Sequence, residues 1–163
     1  MTVLVAYGSK RGGSAGLAEM IGDALRAAGS QVRVEPARAV GGLDGVTAAI
    51  VVGGLYANRW HRDARVFTAR HRRALADIPV WLVASGPLDD SADAGTIPAV
   101  PQVAAAVARL GARGEVTFGG FLAPDAKGFP ASAMAKNGKA GDWRNPERVR
   151  AWVAQVVGEL TGP

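Results

Sequence analysis

Thr2-Val3-Leu4-Val5-Ala6-Tyr7 runs directly into Gly8-Ser9-Lys10-Arg11-Gly12-Gly13-Ser14-Ala15-Gly16, and this junction decides the fold. The first six residues are a β-branched apolar run of strand length. After the glycines, apolar residues recur at Leu17, Ala18, Ile21, Ala24, Leu25 and Ala28, one stripe of a helix that Gly29 can terminate. A strand, a glycine-rich turn and a helix, in that order, open an α/β unit.

The alternation continues outward from this unit. Gln31–Glu35 places Val32 and Val34 on one face of a strand, and Ala48–Val52 is continuously apolar, as a strand buried on both faces requires. A helix is predicted from about Arg62 to Ala76, then a second buried strand over Val80–Ala84. Pro101 opens a helix with Val103, Ala104, Val107 and Leu110 as its stripe, and Glu115–Leu122 reads as the fifth strand. Asn145 is placed to cap a last helix, with Pro146 at its first position and Val149, Trp152, Val153, Val156, Val157 and Leu160 inward. Five strands alternating with helices predict a doubly wound five-stranded parallel sheet in the order 2-1-3-4-5, one domain over residues 1–163. Residues from about 123 to 144 show no period and are expected as an irregular insertion near the fifth strand.

The composition narrows the function classes. With 48% apolar and 20% charged residues the chain can bury a sizeable core. Zero cysteines exclude disulfides, thiolate metal sites and a cysteine nucleophile, and two histidines leave little for a His-rich metal site. No run approaches the roughly 20 apolar residues of a transmembrane helix. The absence of cysteine makes a cytoplasmic location the expected one, and Met1–Tyr7, apolar but short, reads as a first strand and not a signal peptide. The net charge of +5 is local: Arg59, Arg62, Arg65, Arg70, Arg72 and Arg73 face a single acid, Asp63, within that span. The rest of the chain, with 13 basic and 13 acidic residues, is neutral.

Doubly wound sheets bind ligands beyond the carboxyl ends of their strands, which singles out the loops Gly8–Ser14, Gly53–His61 and Ser85–Pro98. In the first, no lysine follows Gly13, so the nucleotide P-loop pattern fails, and no GxGxxG spacing occurs. A hydroxyl-x-x-Gly-x-hydroxyl pattern at Ser9, Gly12 and Ser14 remains, which suits a terminal monophosphate held by backbone and hydroxyl groups. The competing reading is an ordinary strand-to-helix turn with Ser14 as its N-cap. A phosphoacceptor receiver domain needs acids after the first and third strands, where this chain has Tyr7-Gly8-Ser9 and Val52-Gly53-Gly54.

YGSKRGGSAGLAE resembles the phosphate loop of flavodoxins, particularly the branch that includes menaquinone-dependent protoporphyrinogen IX dehydrogenase. The resemblance continues through VVGGLYANRWHRDARVFTARHRRAL, PVWLVASGPL, FGGFL and GDWRNPERVRAWV. It implies a flavodoxin-like fold, an FMN cofactor and flavin-borne redox chemistry, either in an oxidoreductase like protoporphyrinogen IX dehydrogenase or in an electron carrier. A cofactor-free interaction module is the alternative from another class. In the quinone-dependent relatives the region corresponding to 123–144 is associated with their distinguishing activity.

On this reading Ser9, Lys10, Arg11, Gly12, Gly13 and Ser14 hold the phosphate. Tyr56, Ala57, Asn58, Arg59 and Trp60 then form one wall of the ring site, and Ser85, Gly86, Pro87 and Leu88 another. Either Tyr56 or Trp60 stacks on the flavin, or Trp60 packs beneath the arginine-rich helix instead. Asn58 can take a left-handed backbone, and the Ser85 hydroxyl and Gly86 N–H are candidate donors to ring oxygens. No catalytic acid or base is assigned; His71 falls on the apolar helix face, and His61 lies near the ring. The expected partner is a reductase, a quinone or a small-molecule substrate. Nucleic acid is excluded, for no recognition motif accompanies the arginines. The Arg59–Arg73 face is read as solvated, or as meeting an acidic protein, a carboxylated substrate or the inner face of a membrane peripherally, and a homodimer stays open.

Overall fold

In the computed structural model, which describes residues 2–10 and 12–162, β1 (Thr2–Gly8) leads through the glycine loop into α1 (Gly13–Ala27). β2 (Gln31–Pro36) pairs parallel with β1, Val3 opposite Val32. β3 (Ala48–Tyr56) lies on the other side of β1, with Val5 opposite Ile50, and runs four residues beyond its continuous apolar stretch. From its end, β4 (Arg59–Trp60) turns back antiparallel, Leu55 opposite Trp60. Two helices follow, α2 (Arg62–Arg70) and α3 (Arg72–Ala76), then β5 (Val80–Ser85) beside β3. The short α4 (Ser91–Ala94) and α5 (Pro101–Leu110) lead to β6 (Gly114–Phe118), which closes the sheet against β5. β7 (Phe121–Leu122), α6 (Ala131–Met134), β8 (Gly141–Asp142) and α7 (Pro146–Thr161) complete the chain.

The sheet order is β2-β1-β3-β5-β6, with β4 attached to β3 alone. Counted in long strands this is the expected 2-1-3-4-5. Alternation along the central strands fills two cores. Val3, Val5, Ile50, Val52 and Val83 meet Leu17, Ile21 and Leu25 of α1 and Val149, Val153 and Val156 of α7. Leu4, Ala6, Val51 and Leu82 meet Phe67 and Leu75 of the α2–α3 pair and Val103 and Leu110 of α5. Both faces are covered, as the apolar strands demand. Asn145 caps α7, its side chain accepting from the Arg148 N–H at 3.2 Å, with Pro146 next.

Two elements depart from the sequence reading. The helix predicted over 62–76 breaks at His71 (φ −99°, ψ 21°). Just before it, the Thr68 hydroxyl bonds back to the carbonyls of Ala64 and Arg65 at 3.1 and 3.0 Å, a contact that bends helices. The fifth strand stops at Phe118 because Gly119 and Gly120 turn away. Gly120 approaches the Gly86 backbone so closely that a Cβ would stand 2.7 Å from the Gly86 oxygen, and its N–H donates to Pro87 at 2.8 Å. Phe121–Leu122 pairs instead with Gly141–Asp142, which ties both ends of the irregular segment together. Among the described residues, no helix is long and apolar enough to cross a membrane.

Candidate functional site

A cleft of about 640 Å³ lies beyond the carboxyl ends of β1, β3 and β5, at the predicted switch point. Its polar end is the glycine loop. Gly12 (φ +85°) precedes α1 in the left-handed conformation that glycine adopts at least cost, and no side chain caps the helix. Ser14 is therefore the second helical residue, not the N-cap. The first turn of α1 contains no acid, so its unpaired N–H groups and positive dipole end are not internally neutralised. Gly13, Ser14 and Lys10 line the cleft. The Ser14 hydroxyl makes no hydrogen bond among the described residues, although the residue is only 4% exposed. Ser9 accepts from the Gly12 N–H at 3.0 Å, closing the loop from behind the lining. Arg11 lies outside the described residues.

Arg144 braces the loop from the far side. Its guanidinium donates to the Gly13 carbonyl at 3.3 Å, pairs with Asp142 at 2.7 Å and sits 4.7 Å over the Phe121 ring. Gly16, without a Cβ, leaves room for it. The hydrogen bonds and charge of Arg144 hold the Asp142 carboxyl below its ordinary range.

The second loop is a hairpin turn. Ala57 (φ +51°) and Asn58 (φ +59°) are both left-handed, the two-residue geometry that matches strand twist. Asn58 carries this readily, as expected; alanine does so at a cost of roughly 1–2 kcal/mol. Ala57→Gly should therefore raise unfolding stability by about 1 kcal/mol in urea titration, and an unchanged or lower midpoint would contradict the strain. Tyr56 folds over Gly54 toward the glycine loop, its hydroxyl accepting from the Lys10 N–H at 3.0 Å. Tyr56, Ala57 and Asn58 all line the cleft.

Arg59 and Trp60 do not. Arg59 points to solvent. Trp60 is 1% exposed, packed against Gly53 in the core under α2, with its indole N–H donating to the Val83 carbonyl at 3.1 Å. A side chain so enclosed offers no face for stacking, so Trp60 is corrected from ring contact to core anchor, the second of its two sequence readings.

His61 is spent locally as well. Its Nδ1 accepts from the Asp63 N–H at 3.0 Å and caps α2, while its ring meets Tyr56 edge-on at 5.8 Å. Burial pushes the imidazole below its ordinary 6.5; Asp63 opposes this, and Arg65, Lys10 and Arg38 reinforce it. The folded state thus favours the neutral ring, so the contribution is whole above about pH 6.5 and is lost as pH falls through the folded value. His71 shifts the same way, mainly by burial and then through Arg70. His61→Asn retains a capping oxygen without a proton to gain. Its stability should fall less steeply than wild type below pH 6.5 in urea titrations, and superimposable profiles would contradict the cap.

The third loop contributes Ser85, Gly86, Pro87 and Leu88 to the lining. Its two expected donors are already engaged, however. The Ser85 hydroxyl donates to the Gly119 carbonyl at 3.2 Å, and the Gly86 N–H to Phe118 at 3.2 Å, so neither is free for a ring oxygen. Asp89 stands at the rim with its carboxyl held below the ordinary range by hydrogen bonds from the Ser91 hydroxyl and amide.

The fourth wall is anticipated by the sequence only as the loop Ser85–Pro98 and the segment 123–144, with none of its residues singled out. Pro130, Ala131, Met134 and Lys139 come from the irregular segment, and Ile97, Pro98 and Val100 face the cleft with them. Apart from Lys139, this wall is apolar. Phe129, 85% exposed, stands beside it in sequence.

The comparisons agree with this geometry. The family model described as "Flavodoxin domain" matches residues 4–122. A mutant flavodoxin from Pseudomonas aeruginosa superposes with TM-score 0.62 at 18% identity, covering 99% of this chain and 100% of that one. The Streptococcus pneumonia flavodoxin gives TM-score 0.61 at 18% identity, over 98% of this chain and 99% of that one. A mutant flavodoxin from Fusobacterium nucleatum, bound to flavin mononucleotide, gives 0.53 at 15% identity, over 97% and 96%. No curated protein matches. At these identities the structures speak for the fold, whereas the family match runs from β1 through the glycine loop and the second and third loops to β7, short of Pro130–Lys139, and on that match the chain belongs to the flavodoxin domain family.

Proposed function

We propose that the cleft holds FMN and that the chain is a flavin-dependent redox protein. The observation that carries this reading is the glycine loop. It presents an α-helix N-terminus with no acid in its first turn and a hydroxyl, at Ser14, without a partner among the described residues. The neighbouring cradle fits as well, for a Cβ on Gly54 would stand 2.9 Å from Ser14 Oγ and 3.1 Å from Tyr56 Oη. Gly13, Ser14 and Lys10 would receive the phosphate, while Tyr56–Asn58 and Gly86–Leu88 would flank the ring. Bound there, the flavin supplies the electron chemistry; the protein binds it, orients it and limits access.

The finer reading is an oxidoreductase resembling protoporphyrinogen IX dehydrogenase. The largely apolar fourth wall supports it, since Ile97, Pro98, Val100, Pro130 and Met134 offer a flat substrate apolar surface, with Lys139 as its one charge. A second reading, an electron carrier, is supported by the flavodoxin family match over residues 4–122. Reconstitution with FMN followed by desalting tests the common claim. Porphyrinogen oxidation with a quinone acceptor separates the two: turnover supports the enzyme, and its absence with retained flavin supports the carrier.

A further inference from the structure

A second, smaller cleft of about 230 Å³ lies between the turn at Ala37–Ala39 and α2. Arg38 comes from the turn; Arg62 and Arg70 come from the helix, and His71 closes one end. None of the three arginines has an ion-pair partner among the described residues. On α2 the order Arg62, Val66, Arg70 follows i, i+4, i+8, so an apolar side chain sits between two cations on one stripe about 12 Å long. Val66 is 39% exposed at its centre.

We propose that this cleft docks an acidic protein partner that presents an apolar side chain flanked by carboxylates. Three arginines against the single carboxylate of Asp63 leave the concavity net positive, a field that steers an anionic surface in and orients it. The Val66 step gives that surface something to bury, which an isolated inorganic anion would not need. A lipid surface fits less well. The apolar face of α2, at Ala64 and Phe67, is committed to the core and cannot sink into a bilayer. Asp63 offers an acceptor that fixes the register of a protein partner.

The location gives the docking a consequence. His61 caps α2 at one end of this cleft, and its ring lies 5.8 Å from Tyr56, which lines the larger cleft. A protein seated on the arginines therefore stands beside the flavin site. That it exchanges electrons there rests on the function proposed above; the docking itself does not.

The test uses the full chain, with and without FMN, and a dye-labelled helical peptide bearing two Glu eight residues apart with Leu midway. Anisotropy should report binding that weakens at least tenfold in Arg38→Gln/Arg62→Gln and when the peptide Glu residues become Gln. Arg72→Gln/Arg73→Gln removes the same charge from exposed positions outside the cleft and should change affinity less than twofold. Equal losses in both double variants would overturn the cleft in favour of diffuse charge. Binding to vesicles containing anionic phosphatidylserine, with none to the peptide, would overturn the protein partner. All four arginines are exposed, and thermal melts verify that the variants fold. Peptide binding without FMN retention would sink the flavin reading and leave this one standing.

Discussion

Trp60→Ala is expected to destabilise the protein by about 3–5 kcal/mol, the range for deleting a large buried aromatic. The indole is 1% exposed and fills the space beside Gly53, where a Cβ would stand within 2.7 Å of its Cδ1. Its removal opens a cavity beneath α2 and leaves the Val83 carbonyl without the indole N–H that now reaches it at 3.1 Å. Trp60→Phe restores most of the volume but not the donor, so a smaller loss, about 1–3 kcal/mol, should remain. Chemical denaturation checks both values. A loss below about 1 kcal/mol for the alanine variant, with flavin affinity abolished, would place the side chain on the ligand instead of in the core.

Gly54→Val should leave the fold in place and weaken FMN binding by about 100-fold, or roughly 2.7 kcal/mol. Valine is at home in a strand, and position 54 lies within β3, opposite Ser85 of β5. The added branches point at Ser14 Oγ and the Tyr56 ring, so they occupy the cradle between the glycine loop and the second loop. Titration of FMN against the variant, with a thermal melt alongside, separates the two effects. An affinity within threefold of wild type, with melting unchanged, would show that the phosphate end of the cleft is not where flavin binds.

What could be read from the sequence was local in origin. The buried strands at Ala48–Val52 and Val80–Ala84 and the stripes of α1 and α7 follow from periodicity, because their apolar faces have nowhere to go but the core. The β3–β4 hairpin was harder, for its left-handed pair is Ala57-Asn58 instead of the usual Asn-Gly. Its register then decides Trp60: pairing with Leu55 turns the indole inward, and a one-residue slip would turn it outward. Ser85 and Gly86 look like free donors only until Phe118 and Gly119 are placed beside them by a strand some thirty residues later. The part of the fourth wall that comes from 130–139 was illegible for the same reason. Pro130, Met134 and Lys139 have no period to announce them, and they reach the cleft as part of a segment closed by the β7–β8 pairing.

The charge of +5 has also gained a position. It is not spread around the flavin cleft: Arg59 points to solvent, and Arg62 and Arg70 line a separate cleft that Arg38, from a different part of the chain, completes.

The most direct test of the account compares FMN with riboflavin, which differs only in lacking the phosphate. After incubation and desalting, the protein should retain one FMN, seen by absorbance at about 450 nm. Riboflavin should bind at least ~100-fold more weakly, because the helix N-terminus, Ser14 and Lys10 have nothing to hold. Failure to retain FMN, or equal affinity for the two flavins, would contradict a phosphate-anchored flavin at the glycine loop.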